Sequence, residues 1–410
     1  MLKVSLFLMI SLLLLSCVEQ PKSTVVLNPY ENIDWSSVER HKANLHTHTT
    51  ESDGRFTPSE VVKMYAEAGY SVLAITDHDD KGPDKTTWPW ENYDINTSEY
   101  YILPVQGNEI SKANHIGSYF NDYSDGNQSS EKIAIEEIGK LDGLAVVNHP
   151  GRYRKKRNAE FYSDLYQTFD HLVGMEVVNK GDLYPDDRIL YDSILSFLMP
   201  DRPVWAFSND DFHRQKNFGT SYNIFLLPEN GLQLDIFREG FKRGHFFAVY
   251  DPSSTWSKAV VPDSVVVSDS EIVVYADCDD QQIQWISEGY LVHIGKTLPL
   301  TMNLGKYVRA TIIGENMAFT LVQPFGLSSL KPVKTAKLEV KNGRGSGDDY
   351  IAGAKNIRIE ASQPPQGKVF ESWIGKNADL IEDVRAVKTT MFLPKVGNYS
   401  IEASYRDTLP

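Results

Sequence analysis

The sequence predicts an α/β protein with parallel strands, arranged as a barrel or a doubly wound sheet, followed by all-β, sandwich-like modules. Three observations predict it. From about residue 40 to 250, short apolar runs alternate with amphipathic helical patterns, the mark of repeated strand–helix units. Several of these runs end in His, Asp or Glu, at the place where α/β barrels gather their chemistry. After about residue 255 helical periodicity fades, and β-branched runs such as those at 264–268, 271–275 and 307–313 are separated by Pro, Gly and Asn turns.

The elements follow in order. Residues 42–46 read as a strand. Thr57, Pro58 and Glu60 then supply an N-cap, a first-turn proline and a capping-box acid, opening a helix that runs to Gly69. Residues 71–76 form an apolar strand ending in Asp77-His78-Asp79, and 100–105 another ending near Glu109. Residues 115–120 are a further strand and 130–140 an amphipathic helix. The strand at 144–147 ends in Asn148-His149-Pro150-Gly151. Strands at 173–178, 204–207 and 222–227, with helices near 186–198 and 232–243, complete the series. The domains expected are a leader over 1–17, a polar tether over 18–38, the α/β unit over 39–254, a β-sandwich-like unit over 255–332 and a second β unit over 333–410.

Composition narrows the function. The chain has 410 residues, with 41 basic and 55 acidic side chains, a net charge of −14. That balance, with no long basic run, argues against a partner that is a nucleic-acid duplex, which needs a positive footprint. A chain this long buries a core without disulfide staples, and only Cys17 and Cys278 are present. Cys17 closes a short apolar run that follows Lys3, too short to span a bilayer comfortably. The stretch Leu14-Leu15-Ser16-Cys17 resembles a bacterial lipobox. That resemblance implies cleavage before Cys17, a lipid on its thiol, and a membrane lipoprotein of the cell envelope; the alternative is an ordinary secretory leader.

The chemistry lies in a recurring pair spacing. His46 and His48 stand two apart, as do Asp211 and His213, and on a strand residues i and i+2 share a face. Neutral imidazoles on one face suit a divalent transition metal, and Asp53, Glu109 and Asp211 add oxygen donors. The mixed set fits Zn, Mn or Fe better than a structural thiolate site. A single His-x-His is as easily a surface or core-edge pair; its weight comes from its company. Asp210 competes with Asp211, but only Asp211 keeps the two-residue spacing to His213.

These segments, His46-Thr-His48 through Asp53-Gly54, Thr76-Asp77-His78-Asp79, Gly107-Asn-Glu109, His115, Asn148-His149-Pro150-Gly151 and Asp211-Phe-His213, resemble the PHP family. These are the polymerase-and-histidinol-phosphatase domains, many of them metal-dependent phosphoesterases. The resemblance covers about 40 to 250. It implies a distorted (β/α)7 TIM-like barrel of the PHP type, with two or three divalent ions at the strand C-termini. Carried over by position, His46 and His48 hold one ion with Glu109 and Asp211. Glu109 bridges to a second, held with His115 and His149, and Asp53, His78 and His213 hold a third. Family members often read Gly-Ser-Asp-x-His where this chain has Ser208-Asn-Asp-Asp211-Phe-His213. Asp53 equally suits a turn, and His115 a strand interior.

Closely spaced ions acidify a bridging water, and the resulting hydroxide attacks phosphorus or a carbonyl carbon, so no Ser or Cys nucleophile is required. Asp77, beside His78, is read as an acceptor that orients an imidazole, or as a strand-end cap. Arg152 is read as a clamp on phosphate, or as one solvated member of the basic run 152–157. Glu176 and Asn179, at another strand end, are weaker candidates. The loop 81–99 carries Trp88, Trp90 and Tyr93 and is read as a lid or substrate wall, or as a locally packed loop. The remaining His41, His171, His245 and His293 read as packing residues. The last unit, with Asn342-Gly-Arg-Gly345, Phe370, Trp373 and Tyr405 among its marks, is similar over about 335–407 to the divergent InlB B-type bacterial repeat. That implies a spacer or adhesion module, with surface or polysaccharide contact. The expected function is an exported metallohydrolase acting on small phosphomonoesters or phosphodiesters; the alternatives are carbamate or ester cleavage by the same fold, with Trp88 and Trp90 as an aryl wall, and a non-catalytic surface binding protein.

Overall fold

The structure, a computed structural model, describes residues 22–79, 86–112, 114–253, 257–329 and 333–408. The expected leader and Cys17 lie outside these residues.

The first part runs β1 (Ser23–Leu27), β2 (Glu39–Asn44), α1 (Pro58–Glu67), β3 (Val72–Ile75), α2 (Thr97–Tyr100), β4 (Leu103–Ile110), β5 (Ile116–Tyr119), α3 (Glu131–Lys140), β6 (Leu144–Val147), α4 (Ala159–Thr168), β7 (Leu172–Asn179), α5 (Asp187–Leu198), β8 (Trp205–Asn209), β9 (Ser221–Leu227), α6 (Leu234–Arg243) and β10 (Phe246–Tyr250). Strands β2, β3 and β4 are parallel, as are β6, β7 and β8. Between the two sets β5 runs antiparallel to both neighbours, which is the distortion in the barrel. The ring of seven closes at its C-terminal rim, where the chain after β2 meets the chain after β8. There Phe212 N donates to His46 O at 3.2 Å and His48 N to Phe212 O at 2.8 Å.

Alternation along the strands explains the barrel. In β3, Val72 and Ala74 face the interior cluster, with Trp205 and Phe207 of β8, while Leu73 and Ile75 pack outward beside Val61, Val62 and Tyr65 of α1. Helix α1 opens as the sequence predicts: Thr57 and Glu60 form a reciprocal capping box with Pro58 in the first turn. Residue 100 belongs to α2, so the strand that carries Glu109 begins at Leu103.

The following β strands are β11 (Ser264–Val267), β12 (Glu271–Tyr275), β13 (Ile283–Ser287), β14 (Tyr290–Ile294), β15 (Thr297–Pro299), β16 (Tyr307–Ile313), β17 (Phe319–Leu321) and β18 (Phe325–Ser329). This unit is fused to the barrel. β10 pairs antiparallel with both β9 and β17, so one hydrogen-bonded sheet crosses residue 254. Gln323 donates to and accepts from the backbone of Ala206, both at 2.9 Å. Arg309 grips Asp192 of α5 through two bonds of 2.7 Å in a buried setting. The tether expected over 18–38 needs correction: β1 pairs antiparallel with β18, and Tyr30 is buried against Phe247 and Phe325. The apolar run 25–27 is too short to signal a strand alone, and its partner lies about three hundred residues away.

The last unit has its own core around Leu338, Ile359, Trp373, Met391 and Ile401. Its strands are β19 (Thr335–Lys341), β20 (Gly343–Arg344), β21 (Gly347–Ile351), β22 (Ile357–Ala361), β23 (Lys368–Ile374), β24 (Lys388–Met391) and β25 (Asn398–Asp407). They form two sheets, ordered β21-β19-β25-β23 and β20-β22-β24. Trp373 is buried and donates its indole N–H to Ala386 O at 3.0 Å, a core role, with Phe370 half-buried at its edge.

Candidate metal centre

The site residues leave the barrel at its C-terminal rim, where regular alternation stops. On β4, Val105, Gly107 and Glu109 share a face, and the last of them carries a buried carboxylate into the centre. His115, His149 and Asp211 hold φ values of +47°, +27° and +45°, strained for residues with a Cβ. The loop that brings Asp53 back over His48 needs Gly54, because a Cβ there would stand 2.3 Å from His48 O.

The structure brings all nine predicted ligand residues together. Their donor atoms form four overlapping groups: His46 with His48 and Asp211; His46 with Glu109 and His149; His78 with Glu109 and His115; and His48 with Asp53, His78 and His213. Glu109 is the hub. Its Oε1 lies 3.0 Å from His115 Nδ1, 3.1 Å from His149 Nε2 and 3.3 Å from His46 Nε2, and its Oε2 lies 3.1 Å from His78 Nδ1. Asp211 Oδ1 lies 3.2 Å from His213 Nδ1, 3.5 Å from His48 Nε2 and 3.7 Å from His46 Nε2. Asp53 Oδ1, half-exposed, reaches His213 Nε2 at 3.2 Å and His78 Nε2 at 3.5 Å. The groups overlap more than the position-by-position expectation, since His48 also joins the Asp53 group and His78 the Glu109 group.

The donor chemistry fits divalent ions. His46 donates its Nδ1–H to Glu176 Oε1 at 2.8 Å, which leaves the Nε2 lone pair facing Glu109, Asp211 and, at 3.0 Å, His48 Nε2. Lone pairs and carboxylate oxygens converging in a buried space repel one another until a cation joins them. The electrostatics of the cluster point the same way. Burial lowers imidazole values, and His48 falls to about 4 despite its bond to Asp211. Against burial, Glu176, Glu109 and Asp211 hold His46 well above its usual value. His78 likewise rises to about 10 through Asp53 and Glu109, and His213 to about 9 through Asp211 and Asp53. Despite burial, the surrounding imidazoles hold Glu109 and Asp211 well below the carboxylate range. Protons in this cluster stand where cations would.

Asp77 needs correction. Its carboxylate accepts from Thr49 N and Ser52 Oγ at 2.6 Å, and from Thr49 Oγ1 and Thr87 Oγ1 at 2.7 Å. It ties down the 49–52 loop, and no imidazole is among its hydrogen-bond partners. The Asp210–Asp211 competition is decided the same way. Asp210 turns outward to Tyr65 OH, Gly219 N, Thr220 N and Ser221 N, leaving Asp211 to the centre. Arg152 sits exposed on the turn after His149 and lines the mouth of the cleft. Trp90 is buried in the core beside α1, and Trp88 packs against it at 6.4 Å. Neither lines the cleft, so the aryl wall expected of them is absent among the described residues.

Two residues matter more than their sequence signal. Glu176 is fully buried and also accepts from His149 N, Asn179 Nδ2 and Asn209 Nδ2 at 2.8–2.9 Å. Lys180, just past β7, donates to Asp211 Oδ2 at 3.2 Å; only its place after a strand end marks it. The remaining histidines serve packing: His171 bonds Ile135 O, His41 meets Ser71 Oγ, and His245 lies at the barrel end away from the site.

Fold and site together define a seven-stranded β/α barrel with a His/Asp/Glu centre able to hold metal at its C-terminal rim. No protein-family model and no curated protein matches the chain. Among solved structures it is similar to a two-domain Bacteroides vulgatus protein containing a predicted PHP-like metal-dependent phosphoesterase. The identity is 15%, with 83% of this chain and 94% of that one covered and a TM-score of 0.44. It is also similar to an amidohydrolase from Chromobacterium violaceum with sulfate bound, at 19% identity, covering 52% of this chain and 98% of that one, with a TM-score of 0.36.

Proposed function

We propose that this chain is a metal-dependent phosphoesterase of the PHP type, hydrolysing phosphomonoesters or phosphodiesters of small molecules. The observation that carries the reading is the nine-residue donor cluster in a cleft of about 290 Å³ whose lining includes Lys112, Arg152 and Lys180. When bound, two or three divalent ions supply Lewis acidity and neutralise charge at the reacting ester. His46, His48, Glu109 and Asp211 would hold the first, Glu109, His115 and His149 the second, and Asp53, His78 and His213 the third. Glu176 fixes the imidazole of His46, and Asn148 Nδ2 holds Glu109 Oε1 at 2.9 Å. Lys112, Arg152 and Lys180 would bind the anionic ester, whereas a neutral carbamate brings no ground-state charge for three cations to hold. Cys17 carries a lipid that anchors the protein in the cell envelope, and the last β unit acts as a spacer or surface-contact module.

Metal analysis coupled to turnover tests the reading. Residues 18–410 are assayed for bound Mn, Fe and Zn, then with p-nitrophenyl phosphate, bis-p-nitrophenyl phosphate and an aryl carbamate, beside His48→Ala and Asp211→Ala. Phosphoester turnover lost in both variants supports it. Carbamate turnover alone, or no stoichiometric metal, overturns it. Labelling with radioactive palmitate, lost in Cys17→Ala, tests the anchor.

A further inference from the structure

A second cleft, of about 770 Å³, opens beside the metal centre between the turn at 151–156 and residues 183–186. Arg152 lines both clefts, so they adjoin at that side chain. The second is far too large for a phosphate group alone and lies in the range of small-molecule sites. Its lining mixes apolar and aromatic side chains with charged ones. The Tyr153 ring lies 5.7 Å from the His115 ring and 6.3 Å from that of His149, and Leu183, Tyr184 and Pro185 also line the cleft. Gly151 lets the turn settle there, since a Cβ would meet Asp187 Oδ1 and Tyr184 Cβ at 2.6 Å.

The rim is cationic in a chain of net charge −14. Arg154 is occupied: it bonds Asp186 at 2.6 Å and Asp187 at 3.4 Å, joining one wall to the other. Arg152, Lys155 and Lys156 are exposed and form no ion pair among the described residues. Arg152 instead lies 5.8 Å from the centre of the Tyr153 ring. Aromatic walls under unpaired cations suit a flat ring bearing a negative charge.

We propose that this cleft binds the non-reacting part of the substrate, and that the substrate is a ring-bearing phosphate ester with a second anionic group. The ring lies between Tyr153 and Tyr184, and the second anion meets Lys155 and Lys156. This assignment rests on the phosphoesterase reading for where the reacting phosphate sits.

The test is calorimetric binding of non-hydrolysable probes to the manganese-loaded full-length protein. Methylphosphonate, phenylphosphonate and 4-carboxyphenylphosphonate are compared. The ring is expected to tighten binding, and the carboxylate to tighten it about fivefold further, the scale of exposed ion pairs. Lys155→Gln/Lys156→Gln is expected to abolish the carboxylate advantage and leave methylphosphonate binding unchanged. Tyr184→Ala is expected to reduce the ring advantage. Equal affinity for the two arylphosphonates, no binding of the carboxylated one, or an advantage kept in the lysine variant overturns the proposal. Asp211→Ala separates the two readings: if it leaves phosphonate binding intact while the lysine variant loses the carboxylate advantage, the phosphoesterase reading fails and the cleft stands.

Discussion

Glu176 accepts the Nδ1–H of His46 at 2.8 Å, and this single bond sets which nitrogen of His46 faces the metal centre. Glu176 touches none of the space where ions would sit, so it is a positioning residue. Glu176→Gln removes the charge and places an amide where an acceptor oxygen was. The expected result is a 10- to 100-fold loss in metal affinity, as for other partners of ligating imidazoles, with folding retained. Competition against a fluorescent chelator measures it. Unchanged affinity would show that His46 is oriented by packing alone.

Metal removal is expected to lower stability measurably. Ligands that bind only the folded state stabilise it by about 2.7 kcal/mol at a hundred times Kd. Nine donors from six segments of chain meet in this centre, so stripping the ions removes a link that ties those segments together. Thermal unfolding with EDTA, then with excess Mn, reads the effect. A melting temperature indifferent to both would argue that the cluster holds no metal.

Asp187 gives a pH dependence outside the ligand set. Burial lifts its carboxyl from 3.8 to about 6, against the pull of Gly151 N–H and Arg154. Between about pH 4 and 6 the folded protein therefore holds this proton more tightly than the unfolded chain. The stability this group contributes is present below that window and is lost as pH rises through about 6, by about 2–3 kcal/mol. Urea unfolding of wild type and Asp187→Asn at pH 4 to 7 tests it. The wild type is expected to lose ground against the variant as pH rises, and a constant difference refutes the shift.

The Asp192–Arg309 pair joins the barrel to the next β unit, with both side chains almost wholly buried. Asp192→Ala strands a buried guanidinium, at an expected cost of about 3–5 kcal/mol. Asp192→Leu/Arg309→Met, which removes both charges, is expected to recover most of it. Denaturant unfolding of both variants decides whether the pair contributes stability or only geometry.

Much of the centre is legible in the chain because its ligands stand at or just past strand ends in short local spacings. The two-residue spacings of His46/His48 and Asp211/His213, and the placing of Glu109 and His149 after apolar runs, are local facts that local pattern carries. The Thr57–Glu60 capping box is local in the same way, and α1 begins where it says. The roles of neighbouring carboxylates are not local. Asp77 and Asp210 stand beside His78 and Asp211 in sequence, yet their partners are Thr49, Ser52 and Thr87 in one case and Tyr65 with the 219–221 backbone in the other. Trp90 looks like a loop aromatic until its side chain is seen packed beside α1.

The sequence by itself therefore determined most of the barrel's strand–helix order, without α4, together with the end of the barrel that carries chemistry and the residues offered to it. Each of these depends on spacings of two to four residues along one element. Only the tertiary structure decided the closure of the ring between His46 and Phe212, the joining of β10 to β17, the pairing of β1 with β18, and the placing of Glu176 and Lys180 against the centre. Those contacts join residues tens to hundreds of positions apart. Which distant groups meet is set by how the whole chain buries its apolar surface while satisfying its buried polar groups, and no short window of sequence contains that balance.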